Sequence, residues 1–259
     1  NCALGSDETT IAAMSVHYEI IGNAAVITIS NPKTRNAVDR TTAIELAAAW
    51  QRFEGDAEAV VGILTGAGGT FCSGADLKAM DLADGPGGWL GMSRLQVTKP
   101  TIASVAGHCV AGGLELALWC DLRVAGEDAV FGCFERRFGV PLVDGGTVRL
   151  PLVVGLSRAL DLILTGRPID AAEAHRIGLV DRVASPDAEL AATLDLAEMI
   201  AAFPQPTVRS DRASVYAAVG LPITAGLASE NRFGHGVLRD AVAGAARYRS
   251  SRETDSSAP

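Results

Sequence analysis

The residues best suited to chemistry in this chain are two glutamates set among small and apolar neighbours. Glu115 ends the stretch Ala111-Gly112-Gly113-Leu114-Glu115, and Glu135 ends Val130-Phe131-Gly132-Cys133-Phe134-Glu135. Neither Gly112 nor Gly113 carries a Cβ, so another group can approach the backbone closely there. The first N–H groups of the helix that starts here have no partner within it and carry partial positive charge. A developing oxyanion can accept a hydrogen bond from Gly112 N–H, as anions do at helix N-termini. Glu115 follows three positions later on the same face, and helical side chains lean toward the N-terminus, so its carboxylate returns toward Gly112. One helical turn thus offers a polarising N–H and a base. With Glu135 the pairing predicts acid/base chemistry beside a bound acyl oxygen.

Simpler readings compete at each position. For Glu115 a solvated helix charge is disfavoured, because Leu114, Leu116, Ala117, Leu118 and Trp119 make the helix apolar all round and a buried carboxylate points to function. Glu135 has the structural alternative of pairing with Arg136, Arg137 or another arginine. Asp144, in Leu142-Val143-Asp144-Gly145-Gly146-Thr147, suits the role of cap for a helix beginning at Gly145. Ser73, His108 and Asp121 sketch a hydrolase, yet the chain has no Gly-x-Ser-x-Gly elbow. Gly66-Ala67-Gly68-Gly69 is superficially similar to a dinucleotide loop, but Phe71 stands where the third glycine belongs. Cys72 has no adjacent base and reads as a small hydrophobe.

The elements that must position these groups follow from length and composition. At 259 residues and 48% hydrophobic, the chain can build one large α/β domain with a substantial core. Aromatics make up only 5%, and the abundance of Ala, Val, Leu and Ile suits parallel strands covered by helices. A formal net charge of −8 and no basic run longer than Arg136-Arg137 argue against nucleic acid as a partner. Five cysteines without a C-x-x-C pair argue against a zinc knuckle or a disulfide framework, so no metal is expected and a reducing, cytoplasmic setting is the default. No apolar run reaches the roughly 18 residues that span a bilayer, so no membrane is expected either.

Along the chain, His17 to Ile21 and Ala24 to Ser30 read as a hairpin around Gly22-Asn23. Asp39 is placed to cap a helix bearing Ala43, Leu46, Trp50 and Phe53 at spacings of three and four. Val60 to Thr65 and Thr101 to Val105 read as buried strands, the second leading to the Glu115 helix. Asp81 to Gly91 is rich in glycine and proline and reads as a mobile surface loop that could admit a long acyl group. Asp170 with Glu173 forms a capping pair, and Ser185-Pro186 is expected to open a helix with Leu190, Leu194, Ala197 and Ala201 on one face. Thr207 to Arg249 reads as two helices broken near Gly220-Leu221-Pro222, and the polar Ser250 to Pro259 as a frayed end. The division expected is a flexible tail over 1–13, a core over 14–200 and a helical region over 201–259.

Several ordered motifs carry a resemblance. Asn31-Pro32 with Asn36-Ala37, Phe71-Cys72-Ser73-Gly74-Ala75-Asp76-Leu77, Lys99-Pro100-Thr101-Ile102-Ala103, Ala111 to Ala117, Cys120-Asp121, Leu164-Thr165-Gly166-Arg167 and Gly178-Leu179-Val180 resemble the enoyl-CoA hydratase/isomerase, or crotonase, superfamily. The resemblance runs from about Val16 to Val183. It implies an α/β fold, a spiral of ββα units with a helical C-terminal region serving trimerisation or as a lid, assembled as a homotrimer or a dimer of trimers. It also implies an acyl-CoA thioester as substrate, with no cofactor apart from the coenzyme A that the substrate carries.

By the same resemblance, backbone N–H groups of Ala75 and Gly112 hold the thioester oxygen, Glu115 activates water and Glu135 gives the proton to Cα. Lys33 and Arg35 stand in the coenzyme-binding segment, with backbone near Ala37, Ser73, Asp76 and Leu77 holding the adenine end; solvated turn residues are the alternative for the two cations. Two departures affect the assignment. Family hydratases commonly carry proline before the second glutamate, where this chain has Phe134, and some isomerases of the superfamily place an acting aspartate in a turn like that of Asp144. The expected activity is reversible hydration of a 2-enoyl-CoA to a 3-hydroxyacyl-CoA. The alternatives are double-bond isomerisation on the same fold and a catalytically weak acyl-CoA-binding protein.

Overall fold

The computed structural model describes residues 14–255, so the tail expected over 1–13 lies outside the described residues. The hairpin is present: β1 (Val16–Ile21) and β2 (Ala24–Ile29) pair antiparallel in a register that joins Val16 to Ile29 and Ile21 to Ala24. Helix α1 (Arg40–Gly55) begins where the Asp39 side chain accepts from Thr42 N–H at 2.8 Å, and it buries Ala43, Leu46, Trp50 and Phe53. Strand β3 (Val61–Gly66) follows.

From there the chain repeats one unit. Strands β4 (Thr101–Val105) and β5 (His108–Val110) lead into α2 (Gly112–Trp119). Strands β6 (Leu122–Gly126) and β7 (Val130–Gly132) lead through a 3₁₀ turn over Phe134–Phe138 to α3 (Gly146–Val154) and α4 (Leu156–Thr165). A last short unit comprises β8 (Ile169–Asp170), α5 (Ala171–Arg176) and β9 (Arg182–Ala184). Strands β1, β2, β3, β4, β6 and β9 lie in that order in a six-stranded sheet, parallel from β2 onward. Strands β5, β7 and β8 form a smaller sheet. The β4–β5 and β6–β7 units thus each give one strand to each sheet before their helix, whereas the last unit gives β8 before α5 and β9 after it.

Strand β2 shows how the sequence builds two cores. Ala25, Ile27 and Ile29 pack in the main one, whereas Ala24 and Val26 pack on the other face with Val61, Ile63, Ile102 and Val124. That is the period-2 alternation of a strand covered on both sides. Helix α6 (Glu189–Ala201) covers the second face, burying Thr193, Leu196 and Ala197. It starts later than Ser185-Pro186, after a turn in which Ala188 N–H donates to Ser185 O. Leu190 and Leu194, half-buried, pack against that core beside the buried Ala197, on the expected face.

The C-terminal region departs further from expectation. It holds three helices where two were predicted: α7 (Gln205–Ala218), α8 (Ile223–Gly236) and α9 (Leu238–Asp255). The first break falls at Gly220-Leu221-Pro222, and the second is made at Val237, with φ −118° and ψ 16°, directly after Gly236. Helix α9 also continues through Asp255, into the segment read as frayed. Helix α7 is tied to the core at Asp121, which accepts from Arg212 Nε at 2.7 Å and Tyr216 Oη at 2.5 Å.

Candidate active site

Adjacent parallel strands bring the two glutamates together. In β5 and β7 His108 pairs with Val130 and Val110 with Gly132, so Gly112 and Glu135 emerge from the same end of the small sheet. Ala111 N–H donates to Gly132 O at 2.8 Å, fixing the entrance of α2 to the end of β7. Ala111 itself holds φ 51° and ψ −129°, a backbone state costing about 1–3 kcal/mol for a residue with a side chain. The strained peptide opens α2 with the Gly112 N–H free.

A second loop meets it there. Gly74 adopts φ +92°, and a Cβ on it would stand 2.7 Å from Gly112 N; one on Gly112 would lie 3.6 Å from Ala75 N. The Ala75 and Gly112 N–H groups are thus neighbours, and among the described residues neither has a hydrogen-bond acceptor. Gly113 lets α2 settle on this loop, because a Cβ there would collide with Cys72 O. Two free backbone donors side by side suit an oxyanion.

Glu115 is only 3% exposed, within a helix whose eight residues are all buried. Its Oε1 accepts from Asp144 N–H at 2.9 Å and Gly146 N–H at 2.8 Å, leaving Oε2 without a protein partner among the described residues. Burial pushes its carboxyl up to about 7, against those two N–H bonds and with the Asp144 and Glu135 charges adding to the rise. Asp144 therefore does not cap α3. The N-cap is Gly145 at φ 106° with no side-chain cap bond, and the Asp144 carboxylate instead accepts from Ser93 Oγ and Leu90 N–H.

Glu135 is 6% exposed, and among the described residues neither of its oxygens has a hydrogen-bond partner. The ion pair with a neighbouring arginine is not formed among the described residues. Arg136 turns its Nε to Ile163 O at 3.3 Å, and Arg137 donates to Gly166 O while stacking on the Phe134 ring at 3.7 Å. Burial raises the Glu135 carboxyl, opposed by the nearby Arg136 charge.

Glu115, Glu135, Gly112, Ala75 and Asp144 share the wall of one cavity of about 570 Å³, with Arg35, Ser73, Asp76 and Leu77 also on it. Lys33 is exposed on the 3₁₀ turn Pro32–Thr34, and Ala37 is buried; neither lines the cavity. The segment 81–91 carries neither helix nor strand, yet it is no mere surface loop: Leu90 is 2% exposed, and Trp89 and Leu90 form part of the wall. The hydrolase triad is not assembled, since Ser73 Oγ donates to Thr34 O and Asp121 is occupied by Thr101, Arg212 and Tyr216. The Cys72 thiol is pushed up to about 12 by burial, which fits packing and not nucleophilic attack. Ser93 and Arg149, which brace the Asp144 turn, carried no signal in the sequence.

A spiral of ββα units that sets two free backbone N–H groups beside two buried carboxylates defines a protein able to polarise an acyl carbonyl and move protons next to it. The chain belongs to the enoyl-CoA hydratase/isomerase family, whose model matches residues 19–252. A relative named "Probable enoyl-CoA hydratase" from Rhizobium meliloti is 40% identical over 83% of this chain and 86% of its own length. Enoyl-CoA hydratase EchA19 from Mycobacterium tuberculosis is 39% identical over 70% of this chain and 72% of its own. The crystal structure of enoyl-CoA hydratase EchA1 from Mycobacterium marinum superposes with a TM-score of 0.88 at 36% identity, covering 92% of this chain and 96% of that one.

Proposed function

We propose that this protein is an enoyl-CoA hydratase that adds water reversibly to a 2-enoyl-CoA, giving a 3-hydroxyacyl-CoA. The observation that carries this reading is the unequal pair of carboxylates in one cavity: Glu115 held by one oxygen, Glu135 free at both. The thioester oxygen accepts from Ala75 and Gly112 N–H, which draws electron density from the double bond and leaves Cβ electrophilic. Glu115 Oε2 takes a proton from water as its oxygen bonds to Cβ, and protonated Glu135 delivers a proton to Cα. The raised proton affinity of both carboxyls suits one ionised and one protonated group near neutrality.

Arg35, Ser73, Asp76 and Leu77 on the cavity wall support a coenzyme-binding role, with Lys33 and the backbone at Ala37 on the adjoining turn. Coenzyme A enters as part of the substrate, and no separate cofactor is required. Val215, Ile223, Leu227 and Val242 stand exposed on the C-terminal helices, which supports burial between copies in a homotrimer or a pair of trimers. Four buried free cysteines suit a reducing, cytoplasmic setting, and no helix among the described residues is long and apolar enough to cross a membrane.

The test is incubation with crotonyl-CoA and longer 2-enoyl-CoAs in ¹⁸O water, alongside Glu115→Gln and Glu135→Gln. Label should enter a 3-hydroxyacyl product, and each variant should lose on the order of 10²- to 10⁴-fold in rate. Migration of a 3-enoyl double bond without label would make the protein an isomerase, and tight binding without turnover would make it an acyl-CoA-binding protein. Arg35→Glu should raise KM more than it lowers kcat if that cation serves coenzyme binding.

A further inference from the structure

The turn that holds Glu115 is itself held from behind. Asp144 is 3% exposed, yet aspartate is rarely buried without a partner. No cation pairs with its carboxylate among the described residues. Its Oδ1 instead accepts from Ser93 Oγ, a residue 1% exposed, and from Leu90 N–H at 3.3 Å. Oδ2 has no protein partner among the described residues. Arg149 braces the same turn through the backbone, donating from Nη1 to Asp144 O at 3.0 Å and from Nη2 to Ser93 O at 2.6 Å.

The packing around this frame leaves no slack. Gly88 holds φ +86°, and a Cβ there would collide with Ser93 Oγ and lie 2.5 Å from Asp144 Oδ1. A Cβ on Gly146 would stand 3.0 Å from Glu115 Oε1. Two stretches with residues on the cavity wall, 87–94 and 142–146, are thus joined directly by the Asp144 side chain and through Arg149, and the second carries both N–H groups on Glu115 Oε1.

We propose that Asp144 is a positioning residue for Glu115: clamped by Ser93 and Leu90, it locks the turn whose Asp144 and Gly146 N–H groups grip Oε1, so that only Oε2 meets the reacting water. This rests on the hydratase reading. The base is thereby oriented before substrate arrives, the condition under which placement contributes most to rate. Charged and titratable groups facing Glu115 are Asp144 from the turn, Arg149 from α3, and Glu135 with the Cys133 thiol from the segment after β7. His108 and Arg137 stand on the same cavity wall. Removing the Asp144 charge takes away a like charge and makes Glu115 easier to ionise.

Three variants test it: Asp144→Ala, Ser93→Ala and the isosteric Asp144→Asn, whose amide oxygen can still accept from Ser93 and Leu90. Asp144→Ala and Ser93→Ala should lower kcat on the order of 10- to 100-fold, with KM within about twofold. Asp144→Asn should keep kcat within about threefold and displace the acid limb of the kcat/KM profile to lower pH. Wild-type kcat in Asp144→Ala would overturn the proposal, as would an Asp144→Asn that fails as badly as the alanine, which would make Asp144 a proton carrier. A measurement without turnover separates this from the functional reading. In protein ¹³C-labelled at glutamate Cδ, with the Glu115 signal identified by its loss in Glu115→Gln, the titration midpoint should fall in Asp144→Asn. An unmoved midpoint would sink the positioning role even if the wild type hydrates. A wild type that incorporates no ¹⁸O would sink the hydratase reading even if the midpoint moves.

Discussion

Glu115 is held at some cost to the fold, and the sign of that cost makes a prediction. Its carboxyl in the folded chain titrates near 7, above the ordinary glutamate value of 4.5. Between those values the folded state binds the proton more tightly than the unfolded chain, so stability falls as pH rises through this window and stays reduced above it. Glu115→Gln keeps an acceptor for Asp144 and Gly146 N–H while removing the ionisation. It should therefore raise Tm at pH 8 by at least about 2 °C and give no such gain at pH 4, measured by circular dichroism melts, even as it lowers the hydration rate. Conversely, kcat/KM of the wild type should rise with pH through about 7 as Glu115 ionises. Both glutamates and Gly112 were legible in the sequence because their chemistry is local: a helix start and isolated carboxylates. The partners of Asp144 were not, because Ser93 lies 51 residues away and nothing in an isolated serine marks it as a clamp.

At the level of elements, placement of the site depends on two contacts between backbones. Register in the small sheet carries Gly112 and Glu135 to the same edge, and the seat of α2 on Cys72 O sets the Gly112 N–H against Ala75. Gly113→Ala should push α2 off that seat; the expected outcome is a drop in kcat on the order of 10-fold or more together with a lowered Tm. Loss of stability alone, with kcat retained, would mean that the helix position does not govern the N–H pair. Strands β1 to β4 were readable here, β2 through its alternating faces, whereas β5 to β9, of two to five residues each, were not read. The α8–α9 break at Val237, directly after Gly234-His235-Gly236, was missed because the helical reading was carried through those glycines. The start of α6 was misread, because a turn at Ser185–Ala188 precedes the helix.

For the whole molecule, the C-terminal helices hang on few attachments. Asp121 takes Thr101 N–H at 2.8 Å, Arg212 and Tyr216, and Arg212 also reaches Val97 O at 2.7 Å. Asp121→Ala leaves those donors without their acceptor and should destabilise by about 2–4 kcal/mol, with new proteolytic cutting between α7 and α8. An unchanged digestion pattern would mean that α7 is held by apolar packing alone. If copies assemble through this region, Ile223→Asp with Val242→Asp should shift the sedimentation coefficient toward the monomer. Helix α2 lies at the other extreme, since every residue from Gly112 to Trp119 is buried. Its hydrogen-bonded amides, from Leu114 onward, should exchange with deuterium only when the entire domain opens, on the slowest timescale of the chain. The machinery would then have no early failure of its own: on heating, activity would persist until the cooperative melt and vanish with it.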